Sequence, residues 1–373
     1  MKLAIFTIVK HSQKDGHYYG YAPYVREMNL WGGYVDEVIV VGPKQESNQI
    51  DAIDTAYTHQ NLRFVAVPNF NILSFFQAFK ALTVLPVIFY RILKVMRQAD
   101  HIHLRCPGNI SLVACVAQVF FPNKKKSTKY AGNWDPNSQQ PWSYRLQQAI
   151  LRNTFLTRNM QVLVYGEWPN ETKNIQPFIS ATYYEHEKVP FKPKDYTQAL
   201  SFVFAGALVV GKRPLLTIQI IEHLNSLGVK SVLHMYGDGP LMDELQVYVK
   251  GKGLEHCVFL YGNQDKSVVK AQLMEAHFNI LPSKSEGWPK AVAEGMFFGC
   301  IPVATKVSCV GWMLGNGTRG ILIEPDLEAA VAHFITIFRS ADLDAMAKAA
   351  LDWSQQYTFD RLEADIGSIV RSE

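Results

Sequence analysis

The chain has 373 residues, too many for one ordinary domain at about 150 residues each, and a composition of 48% hydrophobic and 19% charged residues leaves no room for a long disordered tail. Net charge is +4 but unevenly spread: residues 1–195 hold 22 Lys and Arg against 14 Asp and Glu, the remainder 15 against 19. A basic first half points to an anionic partner such as a membrane surface or a phosphorylated acceptor. Nucleic acid is set aside, because basic and aromatic residues do not interleave as single-strand binding requires. The five cysteines (Cys106, Cys115, Cys257, Cys300, Cys309) are odd in number and form no C-x-x-C pair. Buried, reduced thiols in a cytoplasmic protein are therefore expected.

In chain order, "LAIFTIV" reads as a first strand rather than a signal peptide, since its apolar run is short and no small-residue cleavage site follows. A polar loop, "KHSQKDGHYYG", leads to a helical pattern, "YAPYVREMNLWG", and a second strand, "VDEVIVVGP". Further strands are expected at "LRFVAVP", "HIHLRC", "KYAGN" and "VLVYG", apolar enough for a parallel sheet buried on both faces. The apolar stretch "NILSFFQAFKALTVLPVIFYRILKVM" is interrupted by Lys80 and Pro86 and falls short of a membrane span. It reads as a core-packed helix pair or as an amphipathic surface lying on a membrane, the latter favoured by the basic run "NKKKSTK".

"EKVPFKPKDYTQAL" reads as a linker, and a second series of alternating strands and helices follows. It runs from "SFVFAGAL" through "VLHMYGDGP", "CVFLYG" and "FNILPS" to "CIPVATK" and "RGILIEP". The expected fold is α/β: two Rossmann-like, doubly wound parallel-sheet domains facing across a cleft, residues 1–195 and 196–345. A C-terminal helical segment, 346–373, crosses back onto the first domain. "GNGTRG" satisfies G-x-G-x-x-G but precedes a strand instead of opening a helix, so it reads as a loop and a dinucleotide dehydrogenase is excluded.

Chemistry concentrates in "SKSEGWPKAVAEGMFFG" at 283–299. The strand "FNILPS" ends before Glu286, and a helix is expected from Pro289 to Gly299, proline suiting its first position and glycine its end. Glu294 on that helix leans back towards the loop bordered by Glu286. Between the two carboxylates, the amides of Gly287, Trp288 and Lys290 lie at a helix start, which attracts phosphate. Carboxylates accept from vicinal hydroxyls, so this arrangement suits a diphosphate with a sugar at each end. Trp288 either packs or stacks on a sugar face.

The E-x7-E pattern of Glu286 and Glu294, followed by "GMFFGCIPVAT", resembles the signature of GT-B glycosyltransferases of family 4, the group 1 type. "FVFAGALVVGKRP", "YGDGPL" and "VFLYGN" resemble further elements of that family in order and spacing, over the whole second half. The resemblance implies a retaining, metal-independent transfer of a sugar from a nucleotide-diphosphate sugar, with UDP or GDP as the nucleotide, to a glycan, polysaccharide or lipid-linked acceptor of the cell envelope. It implies that Glu286 binds donor-sugar hydroxyls, Glu294 the ribose, and Lys212 the diphosphate. The family's arginine is replaced by Ala207, so Arg213 is expected to substitute. Ala291, Gly237, Asp238, Gly239 and Gly262 complete the donor-binding set. Acceptor-side residues are expected at Gly16, His17 and Tyr18 and at Asn133 and Trp134. A histidine after the fourth strand commonly lines the family's cleft. Alternation is expected to turn one of His101 and His103 inward, and His103, nearer the carboxyl edge, is taken as the catalytic one. No cofactor or metal is expected, since no H-E-x-x-H occurs and no D-x-D pair is assigned to the site. The alternatives are a nucleotide-sugar epimerase of similar architecture and an inactive glycan- or partner-binding module. The location is expected to be cytoplasmic, peripheral on the inner membrane face if the basic half meets lipid.

Overall fold

The computed structural model describes residues 1–45, 50–51, 53–70 and 75–371, with the side chains of all but 75–82. The chain divides into two compact units, 1–178 with 363 onwards, and 179–362.

In unit 1 a seven-stranded parallel sheet is built from β1 (Lys2–Phe6), β4 (Glu37–Gly42), β6 (Leu62–Ala66), β7 (His101–Cys106), β8 (Lys125–Tyr130), β9 (Met160–Tyr165) and β10 (Ile175–Phe178). Between the first two of these lie β2 (His11–Lys14), β3 (His17–Tyr21) and α1 (Ala22–Gly32), β5 (Asp54–Ala56) precedes β6, and α4 (Trp142–Arg152) precedes β9. The strand order is β10-β9-β8-β7-β1-β4-β6. It reverses direction between β1 and β7, the topological switch point at whose carboxyl edge open sheets bind ligands. Both faces are buried. Ala4, Phe6, Ile39, Val41, Ile102 and Leu104 join one core with Ile88, Ile92 and Met96 of α2 (Phe75–Gln98) and Ile110 and Ala114 of α3 (Asn109–Ala117). On the other face, Trp31 of α1 lies against His101 and His103.

The expected polar loop after β1 is a hairpin. Asp15 and Gly16 take φ +50° and +80°, the turn that antiparallel strands of normal twist favour, and β3 pairs with both β2 and β5. The expected helix pair near 71–97 is one helix, α2, with Pro86 inside it; residues 71–74 lie outside the described residues.

The run Lys124–Lys126 closes three helix ends. Lys124 donates to the carbonyls of Arg97 (2.9 Å) and Ala99 beyond α2. Lys125 donates to Val370 (2.9 Å), in the last turn of α12 (Phe359–Arg371). Lys126 donates to Phe121 (3.0 Å) at the end of the short 3₁₀ turn 118–120. Ammonium groups suit helix carboxyl ends, where carbonyls lack partners and the dipole is negative. Tyr34 fixes the other end of this α12 segment, its hydroxyl donating to Glu363 O at 3.1 Å.

Unit 2 has a six-stranded parallel sheet of β11 (Leu200–Ala205), β12 (Ser231–Tyr236), β13 (Val258–Leu260), β14 (Phe278–Leu281), β15 (Ile301–Thr305) and β16 (Ile321–Ile323), in the order β13-β12-β11-β14-β15-β16. Its switch point lies between β11 and β14. The helices are α5 (Pro214–Ser226), α6 (Met242–Gly251), α7 (Lys266–Glu275), α8 (Lys290–Phe297), α9 (Val310–Met313), α10 (Leu327–Ser340) and α11 (Leu343–Ser354). Phe202, Phe278 and Phe334 pack together on one face, while Val203, Tyr236, Leu273 and Phe297 pack on the other.

The division differs from the expected boundary at 195/196. Tyr183 packs on Phe297 and Phe298, and Glu187 pairs with Lys270 at 3.0 Å, so residues from 179 on belong to unit 2. The expected segment 346–373 is also split: α11 packs on α8, Ser354 donating to Ala293 O at 2.7 Å, and only residues from 363 join unit 1.

Candidate functional site

Three loops at the carboxyl edge of the second sheet are held in one another's backbone. Gly206 N donates to Tyr236 O (3.0 Å), Leu208 N to Asp238 O (3.0 Å), Leu241 N to Leu208 O (3.1 Å) and Gly237 N to Gly262 O (2.8 Å). The glycines are required by this approach. A Cβ on Gly237, at φ +127°, would lie 1.9 Å from Gly206 O, and one on Gly239 would lie 2.6 Å from Leu208 O. Gly262 takes φ +67°. Asp238 accepts from Gly239 N at 2.7 Å, which fixes the turn.

Under these loops lies a cavity of about 400 Å³. Five expected donor-site residues line it: Gly237, Asp238, Lys290, Ala291 and Glu294. They are joined by Ala205, Gly206, Ala207, Tyr236, Asn263, Gln264, Lys266, Val269 and Tyr183. Glu294 rises from α8, which sits so close on β14 that a Cβ on Gly295 would meet Asn279 Cβ at 2.5 Å. Burial pushes the Glu294 carboxyl above the usual carboxylate range, opposed by a hydrogen bond with Thr182 and by the charges of Lys290 and Lys266. Lys266 donates to Thr182 O (2.8 Å) and lies over the Tyr183 ring at 4.1 Å. Nothing in the sequence near Lys266 marks it as a site residue, because α7 joins the cavity only through the strand order.

Glu286 follows β14 and is buried; its carboxylate accepts from the ammonium of Lys212. The two loops are also joined by Lys284 N donating to Gly211 O at 2.8 Å. Arg213 has φ +50° and turns inward, donating to Pro282 O (3.1 Å) and Ser283 O (3.3 Å). It braces the end of β14, and the expectation that it replaces the missing family arginine is corrected to that bracing role. Gly287 O accepts from Cys309 Sγ at 3.1 Å. Trp288 is buried with Trp312, Trp353 and Tyr357, its ring 6.0–6.4 Å from each of theirs. Packing is thus its observed role.

In unit 1 the expected site residues are placed differently. His101 and His103 are two apart in a strand and so share a face; both rings meet Ser127 Oγ, at 2.7 and 2.8 Å. His103 is fully buried at mid-strand, 4.2 Å from the Trp31 ring, and burial holds its pKa well below the ordinary value. The catalytic assignment of His103 is therefore corrected to a core one. Trp134 is also fully buried, donating to Glu171 (2.8 Å) beneath the Arg152 guanidinium, and Asn133 accepts from Asp135 N (2.9 Å) within its own turn. Trp134 is a core residue, not an acceptor contact. Gly16 lies in the hairpin turn, His17 begins β3 paired with Lys14, and Tyr18 packs on Phe64 at 5.2 Å.

At the carboxyl ends of β7 and β8, Arg105 and Lys129 lie opposite each other, and both bind Glu27 of α1, at 2.7 and 2.8 Å. Burial pushes Glu27 up, but the two cations outweigh it and hold the carboxyl at about 2. The sequence reading missed this triad, since its members are 78 and 102 residues from Glu27.

It also passed over one D-x-D. Asp342 and Asp344 start α11: Asp342 accepts from Ala345 N (2.9 Å) and Asp344 from Lys194 N (3.3 Å). Asp342 caps the helix and Asp344 ties the chain at Lys194 to it, and among the described residues no group of three potential metal-ligating side chains occurs.

Residues 185–352 match the family described as Glycosyl transferases group 1. An uncharacterized glycosyltransferase of Methanocaldococcus jannaschii is 27% identical over 139 residues, 37% of each chain. The UDP-Gal:alpha-D-GlcNAc-diphosphoundecaprenol alpha-1,3-galactosyltransferase of Escherichia coli is 28% identical over 156 residues, 40% of this chain and 39% of that one. These matches span about two fifths of the curated relatives' length. Anabaena HepE, solved with UDP and glucose, superposes over all of both chains with a TM-score of 0.67 at 13% identity. With two parallel-sheet units and carboxylates and lysines set at the second switch point, the chain has the GT-B fold, and the unit that bears those side chains matches the group 1 glycosyl transferases.

Proposed function

We propose that the chain transfers a sugar from a nucleoside-diphosphate sugar to a glycan or lipid-linked acceptor, with retention of configuration at the reacting carbon and without a metal. The observation that carries this reading is the cavity at the β11–β14 switch point, where Glu294 lies among Lys266 and Lys290 and the next loop holds the Lys212–Glu286 pair. Lysines there offset diphosphate charge, Glu294 accepts from ribose hydroxyls, and the glycine-tight loops give backbone close access to phosphate.

Lys212 serves the leaving diphosphate, and Glu286 serves the hydroxyls of the donor sugar. A fixed cation at the leaving group acts where charge develops, which is the interaction that lowers a barrier most. The galactosyltransferase relative acts, by its name, on a UDP-sugar and a lipid diphosphate, and the HepE structure holds UDP; both support a uridine donor here, and the first also supports a lipid-linked acceptor. The outward side of α2, with Val87, Tyr90, Arg91, Lys94 and Arg97 exposed, supports a peripheral approach to an anionic membrane. No helix among the described residues is long and apolar enough to cross one.

The test is a panel of UDP- and GDP-sugars screened by thermal shift, since a ligand of the native state raises its stability. Binding nucleotides are then assayed for release with lipid-diphosphate saccharides. Acceptor-dependent release of nucleoside diphosphate with a glycosylated product is expected. Release without such a product would indicate an epimerase or hydrolase instead, and no binding by any nucleotide would sink the reading.

A further inference from the structure

A cavity of unit 1 lies at the opposite edge of its sheet from the switch point. It measures about 740 Å³ and opens at the amino ends of β8, β9 and β10, where Lys125, Met160 and Ile175 begin their strands. Cationic side chains in its lining are Lys125, Lys126, Arg158 and Lys173, and none of its described lining residues is acidic. Lys126 is buried, its ammonium donating to the carbonyls of Phe121 and Gln118, so its positive charge faces dipoles and no carboxylate within ion-pair reach among the described residues.

Arg158 and Lys173 are exposed and form no ion pair among the described residues. Elsewhere in unit 1, Arg105, Lys129 and Arg152 each sit on a carboxylate. Lys126, Arg158 and Lys173, gathered here without an ion-pair partner among the described residues, set up a positive potential that an anion relieves. Its other polar groups are hydroxyls and amides, among them Thr154, Asn159 and Asn174, and Gln161 Oε1 is buried there without a hydrogen-bond partner. That oxygen calls for a donor such as a ligand hydroxyl. Beside the opening, Phe155 is 70% exposed with the Arg158 guanidinium 4.5 Å from its ring centre, a flat apolar face next to a cation.

We propose that this cavity binds a phosphate-bearing polyol, with phosphate on Arg158 and Lys173 and hydroxyls on the amide and hydroxyl lining. The site is separate from the donor cavity and independent of the function assigned to it. The same chemistry is offered by a soluble sugar phosphate and by a phosphoglycerol lipid headgroup, and the test separates the two.

The chain and its Arg158→Gln/Lys173→Gln variant are titrated with glycerol 3-phosphate and glucose 6-phosphate by calorimetry. Both proteins are also sedimented with phosphatidylcholine vesicles with and without phosphatidylglycerol. Both substituted residues are exposed, so folding is expected to be kept, and an unchanged thermal-shift response to UDP or an unchanged melting profile checks it. A soluble source predicts binding of a phosphate ester that weakens at least tenfold in the variant. A lipid source predicts sedimentation that requires phosphatidylglycerol and falls at least tenfold in the variant. Absence of both kinds of binding, or equal binding by the folded variant, overturns the proposal.

Discussion

Lys212 and Glu286 hold each other in this structure, so a diphosphate sugar that reaches them replaces one charge partner by two. Glu286→Gln is expected to lower transfer strongly while leaving affinity for the bare nucleoside diphosphate nearly intact, because that ligand has no sugar at the reacting end. Glu294→Gln is expected to weaken the nucleoside diphosphate itself by about 1.5–3 kcal/mol, the loss of a charge-assisted hydrogen bond. Calorimetry on both variants decides it: equal profiles would defeat the separate roles. Because burial raises the Glu294 pKa, nucleotide affinity should start to fall, as pH is lowered, above the ordinary carboxylate range. In Glu294→Gln that part of the pH dependence should vanish. Glu286 and Glu294 could be read in the sequence because a strand end, a proline and a glycine bracket them within one local unit. Arg213, His103 and Trp134 could not. Their partners are a distant carbonyl pair, a serine on the next strand and a glutamate 37 residues away, so burial that no local pattern records decides their roles.

Gly237 shows how one element depends on another. Gly237→Ala would drive a methyl group into the carbonyl of Gly206 and strain a left-handed backbone, so β11 and β12 would have to part at their carboxyl ends. A loss of about 2 kcal/mol or more in denaturant unfolding is expected, with nucleotide binding impaired. Gly211→Ala, where nothing lies within 4 Å of the new methyl, should melt like the parent. The Glu27 triad makes the corresponding case in unit 1. Glu27→Gln leaves Arg105 and Lys129 buried against each other and should cost about 3–5 kcal/mol, read from the unfolding midpoint; a neutral result would show that water reaches the pair. The strands and helices of unit 2 were legible because apolar runs and amphipathic stretches alternate at the lengths a doubly wound sheet needs. The hairpin of unit 1 was hidden by polar residues on a small exposed sheet, and its only local mark is the Asp15-Gly16 turn.

At the scale of the whole molecule, acid is the revealing perturbation. Burial holds His11 at about 4 and His101 at about 3, with His103 well below its ordinary value, so all three stay neutral in the fold. The unfolded chain takes up these protons near pH 6.5, so stability is full above that pH and is lost as pH falls towards the folded values. Each histidine should remove about 1 kcal/mol between pH 6.5 and 5.5. Glu27, depressed to about 2, adds its loss only below about pH 4.5, outside this window. Urea unfolding at the two pH values should therefore show unit 1 weakening; a pH-independent midpoint would mean that the histidines find protons in the folded state. The division into two units was legible from composition, but its position was not: Tyr183 and Glu187 look like linker residues until the aromatic pair Phe297–Phe298 and Lys270 receive them.

Lys124, Lys125 and Lys126 form the densest cluster of trypsin sites in the chain, yet each ammonium is engaged at the end of a different helix. Cleavage there needs an extended backbone and a free side chain, so it reports on three helix ends at once. Releasing the last helix from Lys125, for instance by shortening the chain before Val370, should turn a protected stretch into an early nick. The fragments would then part near the middle of the first sheet, making protease sensitivity at 124–126 a direct gauge of whether the chain's far end is in place.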